Sequence, residues 1–557
     1  MFFRVVSTTL LLLTLPSVGG AAPPAVTGLF PAGVQAGQSV NVSLRGAAGD
    51  PPPQVWTSRP GVTLVPAEVP PEKPDEKDEK KRKRKEKGPE WTLTVAADTP
   101  PGIVWLRFHN AEGASDLRPV FVGTLPEIEE TEPNNTSAQA QKIAAVPVVV
   151  NGVLHKGGEV DTFSVDLEAG QTLTASLEAH RSLGSPMDAV LQVSTADGFV
   201  LLQNDDDRGN DPQLTFTAPR PGVYLVRVFA FPSDPNSTIN YAGADTYIYR
   251  LLLATGSVVD HVAPLAVAAT PVPVQPAGTN VPADIAAVMP LVIDGEVILP
   301  IKDPTTFLSH RLPVVPHPTI VETPSADPKS PQLLTVPVCL TGHISQPGEV
   351  DAYRFSGKKG ESVRIAAEAR RFDSPLDPLL RLVGPDGKVL KEQDDEGRKS
   401  YDLDFSQSLP VDGEYRIEVT DRFRLGGPRS VYLLTVEPAT PDFELTVEAN
   451  HWGLVPGKPL EIPVAITRRA GFKEEIVLEV QGLPADAEVT VAETKSAPMG
   501  DSSKSVKIKL ESARKTPLNV PLRIVGKSGA LERKVDGPIA GLSDRTTSLW
   551  LTVAPPK

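Results

Sequence analysis

Oxygen donors crowd one short segment of this chain. Glu130-Thr131-Glu132-Pro133-Asn134-Asn135 sets two carboxylates beside two side-chain amides. A calcium ion takes that mixture, because it binds six to eight oxygens drawn from carboxylates, amide carbonyls and backbone carbonyls. Pro133 restricts the backbone and so lowers the entropic cost of holding the donors in place. Glu159 and Asp161 would complete the shell if the segment folds back on Gly158-Glu159-Val160-Asp161. The same letters also suit a polar linker with a turn, in which Asp161 caps a strand end. A second acidic run, Asn204-Asp205-Asp206-Asp207-Arg208-Gly209, lacks the Gly and Glu placement of an EF-hand. An acidic hairpin loop is its simpler reading.

Covalent or acid–base catalysis finds less support. A hydroxyl or thiol nucleophile needs a reachable base, usually His. The chain has eight His, and none stands in a His-Glu-x-x-His, Gly-x-Ser-x-Gly or phosphate-loop context. His310 and His317 fall in a Pro-rich stretch and read as exposed surface residues. Cys339, the single cysteine, sits in the apolar run Val336-Pro337-Val338-Cys339-Leu340 and reads as a small buried side chain. The expectation is a chain without an active site.

The elements that would position these residues are short strands, and they occur twice. Gly158-Glu159-Val160-Asp161-Thr162-Phe163 is answered by Gly348-Glu349-Val350-Asp351-Ala352-Tyr353. Ser185-Pro186-Met187-Asp188 is answered by Ser374-Pro375-Leu376-Asp377, Asp197-Gly198 by Asp386-Gly387, and Gly222-Val223-Tyr224 by Gly413-Glu414-Tyr415. The offset is nearly constant, which marks a duplicated unit. Between the landmarks apolar residues alternate: Phe163, Val165 and Leu167 share one face, as do Tyr224, Val226 and Val228. Period-two alternation bounded by Gly and Asp-Gly turns predicts antiparallel β-sandwiches. The fold class expected is all-β, with tandem sandwich domains.

Composition bounds the rest. At 557 residues the chain exceeds one core, and its 58 prolines suit edge strands and links between domains. The net charge of −14 argues against general nucleic-acid binding and suits divalent cations. Arg4, the apolar run Val5 to Leu15 and the small residues Gly19 to Ala22 predict a cleaved secretory signal over 1–22. No later run reaches the ~18 apolar residues of a membrane helix. The predicted product is secreted, periplasmic or at the cell surface.

Taken in order, 23–125 reads as an immunoglobulin-like sandwich interrupted over 68–90 by a charged insertion centred on Lys80-Lys81-Arg82-Lys83-Arg84-Lys85. Flanking acids and the lack of aromatics point to a solvated loop there, against a polyanion tether. The first repeat covers 126–256 and the second 326–438. Between them, 257–325 is either a Pro/Ala-rich linker or a reduced sandwich. A further immunoglobulin-like sandwich covers 439–557.

The ordered set Glu-x-Glu-Pro-Asn-Asn, Gly-Glu-Val-Asp-x-Phe, Ser-Pro-Met-Asp, Asn-Asp-Asp and Gly-x-Tyr resembles the bacterial pre-peptidase C-terminal domain. The resemblance is strong over 126–256 and good over 335–438, with flanks like those in exported planctomycete-type proteins. It implies jelly-roll-like sandwiches and calcium held by Glu130, Glu132, Asn134 and Asp161, with Asn135 and Glu159 as neighbours. The second repeat departs from it: Val321-Glu322-Thr323-Pro324-Ser325-Ala326-Asp327-Pro328 lacks the Glu-Pro-Asn-Asn element, so Glu349 and Asp351 remain but most of the shell is missing, and calcium there stays an open question. The expected function is a non-catalytic binding or adhesion protein for an extracellular polymer or protein. An accessory component of a secreted peptidase or other hydrolase, and a structural spacer, are the alternatives.

Overall fold

Alternation along the chain becomes two-faced strands in the computed structural model. Ser505–Ser512 buries every second residue, as does the central part of its partner Leu460–Arg469. The described residues are 22–49, 51–68, 90–234, 240–293, 296–299, 312–323, 330–394 and 402–555. All but the last residue of the expected signal at 1–22 and nearly all of the charged insertion at 68–90 fall outside them, as does His310. Among the described residues the regular structure is almost entirely strand, with helix confined to single turns.

Residues 25–123 form two four-stranded sheets around Trp91, Leu93, Val104, Leu106 and Phe108. Residues 442–553 form a four-stranded and a six-stranded sheet around Phe443, Ile462, Ile508 and Leu551. Between these lie two sandwiches of the same topology. In the first, Gln141–Lys142, Asp161–Leu167, Gly222–Pro232, Met187–Thr195 and Val200–Asn204 make one five-stranded sheet. Gln213–Thr217, Thr172–Glu178, Ile248–Ala254, Val148–Val153 and Glu127–Glu129 make the other. In the second, Gln332–Leu333, Asp351–Gly357, Gly413–Asp421, Pro378–Val383 and Val389–Gln393 face Leu403–Ser408, Ser362–Glu368, Val431–Pro438, Val338–His343 and Thr319–Val321. The two orders agree strand for strand.

Each sandwich opens with two short strands, one pairing in parallel with each sheet. In the first, Glu127–Glu129 joins Val149–Asn151, and Gln141–Lys142 joins Phe163–Ser164. The crossing residues 130–140 therefore strap the two sheets together. This strap carries the oxygen-rich segment.

Some strands are buried on both faces, which alternation alone does not anticipate. Ile248–Ala254 is buried throughout, because its outer face meets the first domain. Ile248 packs with Ala32 and Val153, and Leu252 with Leu125 and Val149. Arg250 stacks 4.4 Å from the Phe121 ring centroid and pairs with Glu127 at 2.5 Å. The stretch after 257 also packs outward: Val259, Val262, Leu265, Val267 and Val274 share a cluster with Cys339, Phe372, Val431 and Leu433 of the second sandwich. His317 is half-buried, not exposed as the sequence suggested, with Nε2 2.5 Å from Glu437 Oε2. Among the described residues no helix is long and apolar enough to cross a membrane.

Candidate metal centre

The strap brings three of the expected carboxylates to one point. Ligand oxygens of Glu130, Glu132 and Asp161 lie within 4.8 Å of one another. Asp161 is the first residue of its strand and is fully buried there. Glu130 follows directly on the parallel strand, and its Oε1 accepts the Val153 N–H at 2.7 Å. The strap is fixed from both sides. Gln141 Oε1 accepts the Thr131 N–H at 2.7 Å, and the Asn134 carbonyl accepts the Thr162 N–H at 3.1 Å.

Tyr249, fully buried, is the hub. Its hydroxyl is 2.6 Å from Asp161 Oδ2 and 3.1 Å from Glu130 Oε2. One hydroxyl proton thus serves two carboxylates. Burial raises the Asp161 carboxyl far above the usual range, and the neighbouring Glu130 raises it further. Burial also raises Glu130. The Tyr249 phenol is pushed well above its ordinary value by burial and by both acids, so it stays a donor.

Several polar atoms are left over. Asp161 Oδ1 and both side-chain polar atoms of Asn134 are buried without a hydrogen-bond partner. An unpaired buried polar atom costs about 1–3 kcal/mol, so the two unpartnered oxygens, Asp161 Oδ1 and Asn134 Oδ1, beside a carboxylate cluster fit a group that supplies positive charge. The donors are all hard oxygens, the set that suits calcium over a softer transition metal.

The other expected donors lie elsewhere. The Asn135 amide donates to Glu132 Oε2 at 3.2 Å, and the Asn134 N–H reaches the same oxygen at 3.1 Å. These bonds orient Glu132. Glu159 is not in the group: its Oε2 accepts the Lys156 N–H at 3.1 Å. Glu349 does the same for Gln346 at 2.9 Å. In Gly-Glu-Val-Asp the glutamate therefore braces the turn, and the aspartate faces the strap. The Asn204–Gly209 loop lies apart, with Asp207 paired to Arg429.

Tyr249 and Gly152 were missed from the sequence. A Cβ on Gly152 would sit 2.2 Å from the Tyr249 hydroxyl oxygen, so only glycine lets that ring lie across the strand pair. The signal was present in the duplication. Gly342 and Tyr432 repeat the arrangement, also at 2.2 Å from the ring.

The second sandwich repeats part of the centre. Gln332 Oε1 accepts the Thr323 N–H at 2.8 Å, as Gln141 does for Thr131. Glu322 stands where Glu130 stands, and Asp351 where Asp161 stands. Tyr432 donates to Asp351 Oδ2 at 2.6 Å, Tyr353 donates to Glu322 Oε2 at 2.9 Å, and the two hydroxyls are 2.7 Å apart. Burial raises both carboxyls; the charge of Asp351 raises Glu322 further, and Glu349 raises both. Residues 324–329 lie outside the described residues.

A stretch of 118 residues, 21% of the chain, is 33% identical to a probable subtilase-type serine protease of Deinococcus radiodurans, and covers 15% of that protease. The pre-peptidase C-terminal domain of a Bacillus anthracis collagenase aligns over all of its own length and 20% of this chain, at 14% identity and a TM-score of 0.17. The N-terminal four immunoglobulin domains of Dscam1 isoform 8.4 align over 92% of this chain and 96% of their own, at 11% identity and a TM-score of 0.17. Residues 159–230, which begin in the turn before Asp161 and end within the strand Gly222–Pro232 of the first sandwich, are matched by the family described as the Bacterial pre-peptidase C-terminal domain, and the chain therefore contains such a domain.

Proposed function

We propose that this chain is an exported, non-catalytic protein of several β-sandwiches, in which calcium fastens the strap of the first pre-peptidase C-terminal domain. The observation that carries the reading is the set of unpartnered buried atoms, Asp161 Oδ1 and the Asn134 amide, beside Glu130 and Glu132. Glu130, Glu132, Asn134 and Asp161 would hold the ion. When bound, it supplies the positive charge that two buried carboxylates lack. The residues themselves do the orienting: Tyr249 and the Val153 N–H hold Glu130, and Asn135 holds Glu132.

The same reading takes 319–438 as a second, diverged copy without the ion, and the outer pairs of sheets as immunoglobulin-like modules. Its partner is an extracellular polymer or protein. An accessory role beside a secreted peptidase is the second reading, favoured by the likeness to a subtilase-type protease.

Thermal unfolding of the full chain with calcium and with chelator tests the first reading. At calcium 100-fold above its dissociation constant, a site present only in the folded state adds about 2.7 kcal/mol. The first sandwich should gain that increment, and the Glu132→Ala, Asp161→Ala double variant should lose it. If calcium moves neither protein, the strap is a polar linker.

A further inference from the structure

The calcium reading leaves the acidic loop Asn204–Gly209 unexplained, together with an unusual backbone conformation at Asp373. They meet at the joint between the two sandwiches. In the first sandwich a single helical turn, His180–Leu183, ends at Gly184 with φ +68°. In the second, the matching turn Arg370–Phe372 ends at Asp373 with φ +60°. Glycine takes this left-handed conformation freely, whereas a residue with a Cβ does so at a cost. The second sandwich keeps an aspartate there, buried to all but 6% of its surface.

Asp373 faces the first sandwich. Its carboxylate pairs with Arg181, and its backbone carbonyl accepts Arg429 Nη2 at 2.8 Å. Arg429 comes from the second sandwich and pairs with Asp207 of the first, with Asp260 Oδ2 also 3.7 Å from its Nε. Each sandwich therefore sends one arginine across the joint to an aspartate of the other.

The arginine from the first sandwich is held before it crosses. Arg181 Nη2 reaches Glu178 Oε1 at 3.3 Å, and Glu178 also takes Arg208 Nη1 at 2.6 Å and the Ser182 hydroxyl at 2.5 Å. Asp211 accepts the N–H groups of Ala179, His180 and Arg181, which fixes the turn itself. Arg181 and Arg429 keep only 22% and 15% of their side-chain surface exposed, so solvent screens these pairs poorly.

We propose that the two sandwiches are latched into one body by this crossed pair of arginines. The Asn204–Gly209 loop is then a docking element whose partner is Arg429, and Asp373 is the matching element for Arg181. The latch fixes the angle between the two sandwiches, so the pair moves as a unit.

The test uses the full chain carrying Thr215→Cys and Ser406→Cys, both at exposed strand positions. Nitroxide labels there report the distance between the sandwiches by electron–electron dipolar spectroscopy. Cys339 is buried and should not take label. The parent chain is expected to give one narrow distance. Asp207→Ala with Asp373→Gly removes both acceptor carboxylates while retaining a residue that favours the φ at 373, and should give a broad, longer distribution. Asp207→Asn alone, the milder change, should broaden it less. A broad distribution in the parent overturns the proposal. So does an unchanged narrow distance in either variant that unfolds with the parent's cooperativity, because apolar contacts would then hold the joint.

Discussion

In the first sandwich, Glu130 and Asp161 share one hydroxyl, that of Tyr249, and the residue two places after the aspartate is Phe163. In the second, the same place holds Tyr353, and its hydroxyl joins that of Tyr432 to bridge Glu322 and Asp351. The scaffolds are alike down to the glycine under each hub tyrosine. What differs is how buried acid is satisfied. Two hydroxyls give the second pair a continuous chain of donors, while the first pair keeps unpartnered atoms beside it. The two sandwiches therefore keep equivalent carboxylates and satisfy them differently, the second through shared protons.

The shared part of the scaffold should yield the largest effect when broken. Gly152→Ala and Gly342→Ala each place a methyl group within 2.2 Å of a hub tyrosine ring, so the ring or the strand pair must move. Overpacking of this kind costs about 1–3 kcal/mol, and losing the hub's hydrogen bonds adds to it. Chemical denaturation should show comparable losses for the two variants. If Gly342→Ala alone were tolerated, the two hubs would not be equivalent.

The pH response should then separate the copies. In both pairs the folded carboxyls bind protons more tightly than the unfolded ones, whose values lie near about 4. In chelator, the contribution of each pair is therefore best below that value and weakens as the pH rises toward and past neutrality. A bound calcium would favour the charged acids of the first pair, so its stabilising increment should grow between about pH 5 and 8. The second sandwich should weaken over the same range with or without calcium. Calorimetric scans across that range, resolving the individual transitions, would show it. A calcium increment that stays flat with pH would remove Glu130 and Asp161 from the site.

The smallest expected effect sharpens the contrast at one atom. Tyr353→Phe makes the second pair resemble the first, and takes from Glu322 the hydroxyl it accepts from. The loss should be about 1–2 kcal/mol in chelator. An unaltered unfolding midpoint would mean that the Tyr353 hydroxyl adds nothing to holding the acids.

Much of this was legible in the letters. The alternation Thr162 to Leu167 became the strand Asp161–Leu167, and Leu460 to Ile466 lies within Leu460–Arg469. Glu130, Glu132 and Asp161 were found by donor chemistry and do converge. Glu159 illustrates the limit. A glutamate beside a candidate ligand and a glutamate that braces a turn look the same until the Lys156 N–H is placed. Tyr249 illustrates another, since it meets Glu130 across 119 residues of chain, and nothing local marks an aromatic residue as a partner for acid. The stretch after 257 was open between linker and domain because its core is completed by residues of the second sandwich.

The strap has a mechanical consequence. The chain passes into the first sandwich at Glu127 and leaves at Ala254, and these two points lie at one end, since Glu127 pairs with Val149 and Val148 with Leu253. A pull on the chain at both points would not slide strands past one another. It would peel the three-residue seam Glu127–Glu129 open like a zip. Glu130 stands at the far end of that seam, tied to Val153 and Tyr249. The cluster at 130–134 is thus placed as the stop of the zip, and the force needed to pass it is where an ion would be felt most.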